Sequence, residues 1–124
     1  MEKVHIEKTP NTPEVLFDHV SGICELSGRS IPEDSLDFYE PLMAWAEAYV
    51  LDPKDHTNLS VKLEYFNTSS SKCLLDLLDI FAKIEDTEKQ IDINWYYKGY
   101  DEDILETGRD FMEVLGVEIN LIQY

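Results

Sequence analysis

Cysteines, basic residues and long apolar runs are all scarce in this sequence. The two cysteines, Cys24 and Cys73, fall in different predicted elements without CxxC spacing, so the sequence indicates neither a disulfide framework nor a zinc site. The N-terminus lacks the basic start and apolar stretch of a signal peptide, and no apolar run approaches the roughly 18 residues of a membrane span. We therefore expect a cytoplasmic protein that needs no metal or other cofactor and does not insert into a membrane.

Acidic residues outnumber basic ones strongly. The chain has 26 Asp and Glu against 10 Lys and Arg, which gives a formal net charge of −16. Nucleic acids and anionic membrane surfaces are poor partners for such a chain, because binding them depends on Lys and Arg. A protein partner with a basic surface fits better, since charge attraction speeds the encounter. The acidity also serves solubility, and that simpler interpretation stays open.

What the sequence does contain is enough apolar material for one hydrophobic core. Apolar residues make up 44% of 124 residues, and no repeat or low-complexity linker divides them, so residues 1–124 are expected to form a single domain. Periodicity predicts strands over residues 4–6, 14–20, 23–27, 59–66, 91–97 and 117–121, and helices from about 36 to 50, 68 to 84 and 101 to 115. A first helix that begins near residue 36 or 37 accommodates Pro41 best, because the N–H groups of a first turn have no intrahelical acceptor.

The alternation within two strands predicts how the layers are arranged. The strand over residues 59–66 puts Leu59, Val61, Leu63 and Tyr65 on one face and Ser60, Lys62 and Glu64 on the other. In the strand over residues 91–97, Trp95 and Tyr97 are expected under helices and Tyr96 on the open face, where it can contact a partner. Parallel strands covered on both faces would read as continuous apolar runs. The alternation therefore predicts an α/β or α+β fold in which helices cover mainly one face of the sheet.

The junction between a strand and a helix at residues 67–72 is the most informative segment. It reads Asn-Thr-Ser-Ser-Ser-Lys, from Asn67 to Lys72, and it brings a cluster of hydroxyl groups to a helix start. Helix starts expose unpaired N–H groups and a partial positive charge, which stabilise an anion. This pattern favours an attached phosphate. The alternative is that Asn67 or Thr68 is only an ordinary N-cap.

Evidence for an enzyme is weak. The segment 67–72 has no glycine, whereas phosphate-binding loops need glycines for close approach of the backbone. His5, His19 and His56 are scattered without catalytic or metal-ligand spacing. Asp101 and Asp103 are better explained as the acidic start of a helix than as a general acid and base.

Two motifs resemble one known family. Residues 28–34, Gly-Arg-Ser-Ile-Pro-Glu-Asp, followed by residues 38–45, Phe-Tyr-Glu-Pro-Leu-Met-Ala-Trp, resemble the front half of the SiaC family of regulatory phosphoproteins. Residues 65–72 resemble the phosphorylated loop of that family. The family is similar to STAS domains, the fold of bacterial anti-sigma-factor antagonists, in which helices pack mainly on one side of a small mixed sheet.

The resemblance implies a partner-switching protein without catalytic activity. Members are phosphorylated by a serine/threonine kinase of the GHKL type and dephosphorylated by a PP2C-type phosphatase, and the unmodified form binds and activates a diguanylate cyclase (a GGDEF protein), which raises cyclic di-GMP. Carried onto this chain, the phosphoacceptor is Thr68. The expected loop and partner contacts are Tyr65, Asn67, Ser69, Ser70, Ser71, Lys72 and Tyr96.

Two points remain open from the sequence. Lys72 lies one turn along the helix and either pairs with the phosphate or is an ordinary solvated lysine. The rival function is a constitutive interaction module, or one of the anti-sigma-factor-antagonist type, that carries no phosphate.

Overall fold

The computed structural model describes all residues from 1 to 124 and contains six strands and three helices. The elements are β1 Val4–Ile6, β2 Glu14–Asp18, β3 Ile23–Ser30, α1 Ser35–Tyr49, β4 His56–Phe66, α2 Thr68–Ala82, β5 Gln90–Tyr97, α3 Glu102–Leu115 and β6 Asn120–Gln123. A short 3₁₀ turn, Lys83–Asp86, continues α2. The predicted order of elements is confirmed, and six of the twelve strand ends differ from the prediction, by one to three residues. None of the helices has the length and hydropathy that crossing a bilayer requires.

The six strands form one mixed sheet in sequential order, from β1 to β6. The first three strands pair antiparallel, and β3 to β6 pair parallel, with one helix in each parallel crossover. One face is buried, as Leu26 and Val61 show, while Glu25 and Lys62 on the other face are exposed. The predicted mixed sheet with one covered face is confirmed.

Helix α1 begins at Ser35, one or two residues earlier than predicted. The Asp34 side chain accepts a hydrogen bond from the Asp37 N–H at 3.1 Å, so Ser35 is the first helical residue. Pro41 therefore lies inside the helix and removes an intrahelical bond, which corrects the expectation that it falls near the first turn. Burial of Tyr39 and Leu42 against the core offsets that loss.

A β-bulge interrupts the alternation of β4 near its end. In the pairing with β3, Gly28 lies opposite Leu63 but Arg29 lies opposite Tyr65, so Glu64 is the extra residue. The bulge turns Tyr65 outward with Arg29. The prediction that Tyr65 shares the buried face with Leu63 is therefore wrong, and the Tyr65 side chain is 49% exposed.

Candidate functional site

Three helices begin at the same edge of the sheet. Because β3, β4 and β5 are parallel, their carboxyl ends lie together, and each strand leads into the N-terminus of α1, α2 or α3. Each helix has a side-chain cap, namely Asp34, Asn67 and Asp101. This edge is where the sequence places its hydroxyl cluster.

Thr68 is the first residue of α2, and Asn67 is its cap. The Asn67 Oδ1 atom accepts a hydrogen bond from the Ser70 N–H at 2.9 Å, which settles the open choice of cap residue in favour of Asn67. Thr68 is exposed, and its hydroxyl makes no hydrogen bond within the protein. The Thr68 hydroxyl is therefore free to react.

The three serines that follow have different environments. Ser69 is exposed, but its hydroxyl lies 2.7 Å from the Ser35 hydroxyl and donates to Asn67 Oδ1 at 3.2 Å. Ser70 is fully buried, and Ser71 is half-buried. The expectation that Ser70 contacts a partner directly does not fit its full burial, so we assign it a supporting role inside the site.

A buried hydroxyl network supports the start of α2 from below. The Ser30 hydroxyl donates to the Ser70 hydroxyl at 2.9 Å and lies 2.6 Å from the Tyr39 hydroxyl, and Ser35 lies 3.4 Å from Ser70. These bonds join β3, α1 and α2, and satisfying every buried hydroxyl keeps them from costing stability. Burial raises the pKa of Tyr39 to about 12.

Sequence reasoning missed the role of this network. Ser30 and Tyr39 lie inside the motif that suggested the family, yet nothing local shows that they meet Ser70. The sequence indicated only that both residues face the core, since Ser30 continues the inward face of β3 and Tyr39 belongs to the apolar stripe of α1.

Thr68 borders a cleft of about 340 Å³ between the starts of α2 and α3. The cleft is lined by Tyr65, Phe66, Asn67, Thr68, Ser71, Asp101, Asp103, Ile104 and Thr107. Asp101 caps α3 by accepting from the Ile104 N–H at 3.1 Å, as predicted for the acidic helix start. No basic side chain lines the cleft, and Lys72, though exposed, is not part of it. A phosphate on Thr68 would therefore share the cleft with two carboxylates.

Tyr96 lies apart from this cleft. It is on the open face of the sheet, as predicted, where its ring packs edge-on against Tyr124 with centroids 6.0 Å apart. Trp95 is 1% exposed and Tyr97 packs against the core, which confirms the expected opposite orientation of these neighbours.

The histidines form no common site. His5 and Glu14 are 3.3 Å apart, and His56 and Asp92 are 2.7 Å apart, in two separate exposed pairs. No group of three or more metal-ligating side chains occurs in the chain.

Comparison with known proteins connects this site to a family. The profile of the SiaC family regulatory phosphoproteins matches residues 6–124. The fold is similar to that of apo-SiaC from Pseudomonas aeruginosa, with a TM-score of 0.85 and 27% identity over 100% of both chains. It is also similar to a chain in the crystal structure of the diguanylate cyclase SiaD in complex with its activator SiaC from the same organism, with a TM-score of 0.88 and 26% identity over 98% of this chain and 99% of that chain.

A relative found by sequence comparison also comes from Pseudomonas aeruginosa. An uncharacterized protein from Pseudomonas aeruginosa strain UCBPP-PA14 is 29% identical over 113 residues, which are 91% of this chain and 90% of that protein.

Proposed function

Because the chain belongs to the SiaC family of regulatory phosphoproteins, we propose that it is a non-catalytic switch controlled by phosphorylation of Thr68. In its unmodified form it binds and activates a diguanylate cyclase in the cytoplasm and so raises cyclic di-GMP. A GHKL-type kinase adds the phosphate, and a PP2C-type phosphatase removes it. The proposal draws on the similarity to the SiaC chain that was crystallised with the cyclase SiaD.

The observation that carries the proposal is the state of the four hydroxyls at the start of α2. Thr68 alone is both exposed and free of side-chain hydrogen bonds. The Ser69 hydroxyl is held by Ser35 and Asn67, Ser70 is buried, and Ser71 is half-buried. A kinase that approaches this edge therefore meets the Thr68 hydroxyl first.

The surroundings of Thr68 explain how a phosphate would act. Phosphorylation adds about −1.5 to −2 charges at the N-terminus of α2, where free N–H groups stabilise an anion, so the fold is retained. The same phosphate fills a cleft that already contains Asp101 and Asp103 and no basic side chain. A partner docked over this cleft would have to bury a dianion without compensation, which weakens binding on the order of a hundredfold.

The first experiment tests the phosphosite. Thr68→Ala is expected to fold normally, because Asn67 supplies the cap and alanine favours helix, and to accept no phosphate from the purified kinase. Ser69→Ala and Ser71→Ala are the matched controls and should be phosphorylated at the wild-type level, as measured by intact-mass spectrometry. Full phosphate transfer to Thr68→Ala would contradict the assignment.

The second experiment tests the switch. Affinity for the diguanylate cyclase is measured for unmodified protein, fully phosphorylated protein and Thr68→Asp, together with cyclase activity. We expect the phosphorylated protein to bind about a hundredfold more weakly, and Thr68→Asp to show a smaller loss because it carries less charge and fewer acceptor oxygens. Equal affinity of all three forms would favour the constitutive interaction module instead.

A further inference from the structure

Three basic side chains on the open face of the sheet lie over tyrosine rings. Lys98 Nζ is 3.9 Å from the centroid of Tyr124, and Lys62 Nζ is 4.5 Å from the same centroid. The Arg29 guanidinium is 5.4 Å from the centroid of Tyr65. Together with Tyr96, which Lys62 approaches to 5.6 Å, these residues form what we call the cation–tyrosine surface. Its members are Arg29, Lys62, Lys98, Tyr65, Tyr96 and Tyr124.

Eight of the ten basic residues form no ion pair, and among these eight only Arg29, Lys62 and Lys98 lie over tyrosine rings. Elsewhere Lys89 lies 2.6 Å from Asp55, and Arg109 pairs with Glu106. No nitrogen of Arg29, Lys62 or Lys98 lies within 4.0 Å of a carboxylate oxygen, although Glu64 is a neighbour of Arg29 and Lys98. Their positive charge is therefore available to an external anion.

The register between neighbouring strands brings the residues of the cation–tyrosine surface together. The bulge at Glu64 turns Tyr65 outward beside Arg29, since residues that pair across strands point to the same face. The pairing of β4 with β5 ends at Val61 and Trp95, and the residues that follow, Lys62 and Tyr96, lie close together beyond it. The Tyr124 N–H donates to the Tyr97 carbonyl at 3.0 Å and holds the Tyr124 ring at this edge.

The surface is continuous with the Thr68 cleft. Tyr65 lines that cleft and also lies under Arg29. Asp101 and Ile104 line both the cleft and an adjoining depression of about 370 Å³ that contains Arg29, Lys98 and Tyr124. A segment of a partner can therefore cross from one to the other.

We propose that the cation–tyrosine surface binds a carboxylate-bearing segment of the partner protein. The unpaired cations supply charge complementarity, and tyrosine rings add contact area of the kind enriched in interfaces. The inference rests on the proposed function, in which phosphorylation of Thr68 weakens partner binding. A new dianion on Thr68 repels an acidic segment that runs along this edge, whereas it would attract a basic one.

The net charge of −16 sets a second condition on the partner. An acidic segment is repelled by most of this molecule and accepted at the cation–tyrosine surface, so it orients the partner. Basic groups on the rest of the partner's surface would still be attracted and speed the encounter. The expected partner is therefore basic overall and carries a local acidic segment.

Charge reversal at one lysine tests the proposal with the cyclase. Lys62→Glu is expected to weaken binding of the unmodified protein by at least tenfold. The matched control is Lys54→Glu, which changes the net charge equally in an exposed loop before β4 and should change affinity less than threefold. Lys62→Arg keeps the positive charge and should bind with wild-type affinity. Equal losses in Lys62→Glu and Lys54→Glu would assign the effect to net charge and overturn the proposal.

A probe without the cyclase separates this proposal from the proposed function. A synthetic peptide that alternates glutamate and leucine is titrated into wild-type protein, and backbone amide shifts are followed by NMR. We expect shifts concentrated at residues 62, 96, 98 and 124, which disappear in Lys62→Glu. Shifts spread over the whole molecule would overturn the proposal. Shifts at these residues that appear with inorganic phosphate but not with the peptide would also overturn it. Failure of wild-type protein to bind the cyclase, with the peptide shifts intact, would instead overturn the proposed function.

Discussion

At the scale of single residues, the start of α2 combines one free hydroxyl with several bound ones. Ser30, Tyr39 and Ser70 satisfy one another inside the core, and Ser69 is bound to Ser35. A buried hydroxyl without a partner costs about 1–3 kcal/mol, so this network tolerates little change. Thr68 lies outside it, which lets a modification at Thr68 leave the packing below intact.

Removal of the Tyr39 hydroxyl tests the network. Tyr39→Phe takes away the group 2.6 Å from the Ser30 hydroxyl and should lower the free energy of unfolding by about 1 kcal/mol at pH 7. Tyr65→Phe is the matched control, because Tyr65 is 49% exposed and its hydroxyl makes no hydrogen bond. Urea unfolding measures both, and a loss in the control equal to that in Tyr39→Phe would contradict the role of the buried network.

The same variant changes stability at high pH. Burial raises the pKa of Tyr39 from its ordinary 10.0 to about 12, so the unfolded chain loses this proton first as the pH rises. The contribution to stability is fully present below pH 10 and disappears as the pH passes through 12. Tyr39→Phe should remove a slope of about 1.4 kcal/mol per pH unit in this range, measured by unfolding at several pH values. An unchanged slope would show that Tyr39 ionises equally in both states.

At the scale of elements, α3 packs closely against the sheet at Gly108. A Cβ atom at Gly108 would lie 2.6 Å from Cδ1 of Trp95 and 2.8 Å from a methyl carbon of Leu121. The Trp95 indole N–H donates to the Ile104 carbonyl at 2.8 Å, which ties the same helix to β5. This close approach positions the start of α3, and with it Asp101, against the Thr68 cleft.

A methyl group at Gly108 should disturb this contact. Gly108→Ala is expected to lower the free energy of unfolding by about 1–3 kcal/mol, because backbone and indole cannot both keep their positions. Near-UV circular dichroism should report the changed environment of Trp95. The control, Asp110→Ala, adds an alanine on the exposed side of the same helix and should change stability by less than about 0.5 kcal/mol. Equal stability of Gly108→Ala and wild type would contradict the tight packing of α3.

At the scale of the whole molecule, charge is the dominant property. A net charge of −16 on 124 residues produces self-repulsion in the compact state, which salt screens. The exposed acids also exclude anions from most of the surface. The cation–tyrosine surface groups three positive charges within this acidic molecule.

Salt should therefore stabilise the folded protein. We expect the free energy of unfolding in urea to rise between about 20 and 500 mM sodium chloride as self-repulsion is screened. A variant with the exposed acids Glu85, Asp86 and Glu88 changed to their amides should show a smaller rise. Stability that falls with salt in wild type would mean that favourable ion pairs outweigh repulsion.

Local pattern was sufficient for the order of the elements, the covering of one face of the sheet and the hydroxyl cluster at the start of α2, whereas the mixed sheet was implied by the family resemblance. These features depend on periodicities of 2 and 3.6 residues and on cap residues, all of which act within a few positions of the chain. The position of Tyr96 on the open face and the acidic start of α3 followed from the same local rules.

Pairing between distant segments determined the features that local pattern did not predict. The bulge that turns Tyr65 outward arises between β3 and β4, and the burial of Ser70 depends on Ser30, which is 40 residues away. The meeting of Thr68 with Asp101 and the grouping of Arg29 with Lys98 and Tyr124 depend on how neighbouring strands and helices align. Such alignments result from packing and register over the whole sheet, and no window of sequence contains both members of these pairs.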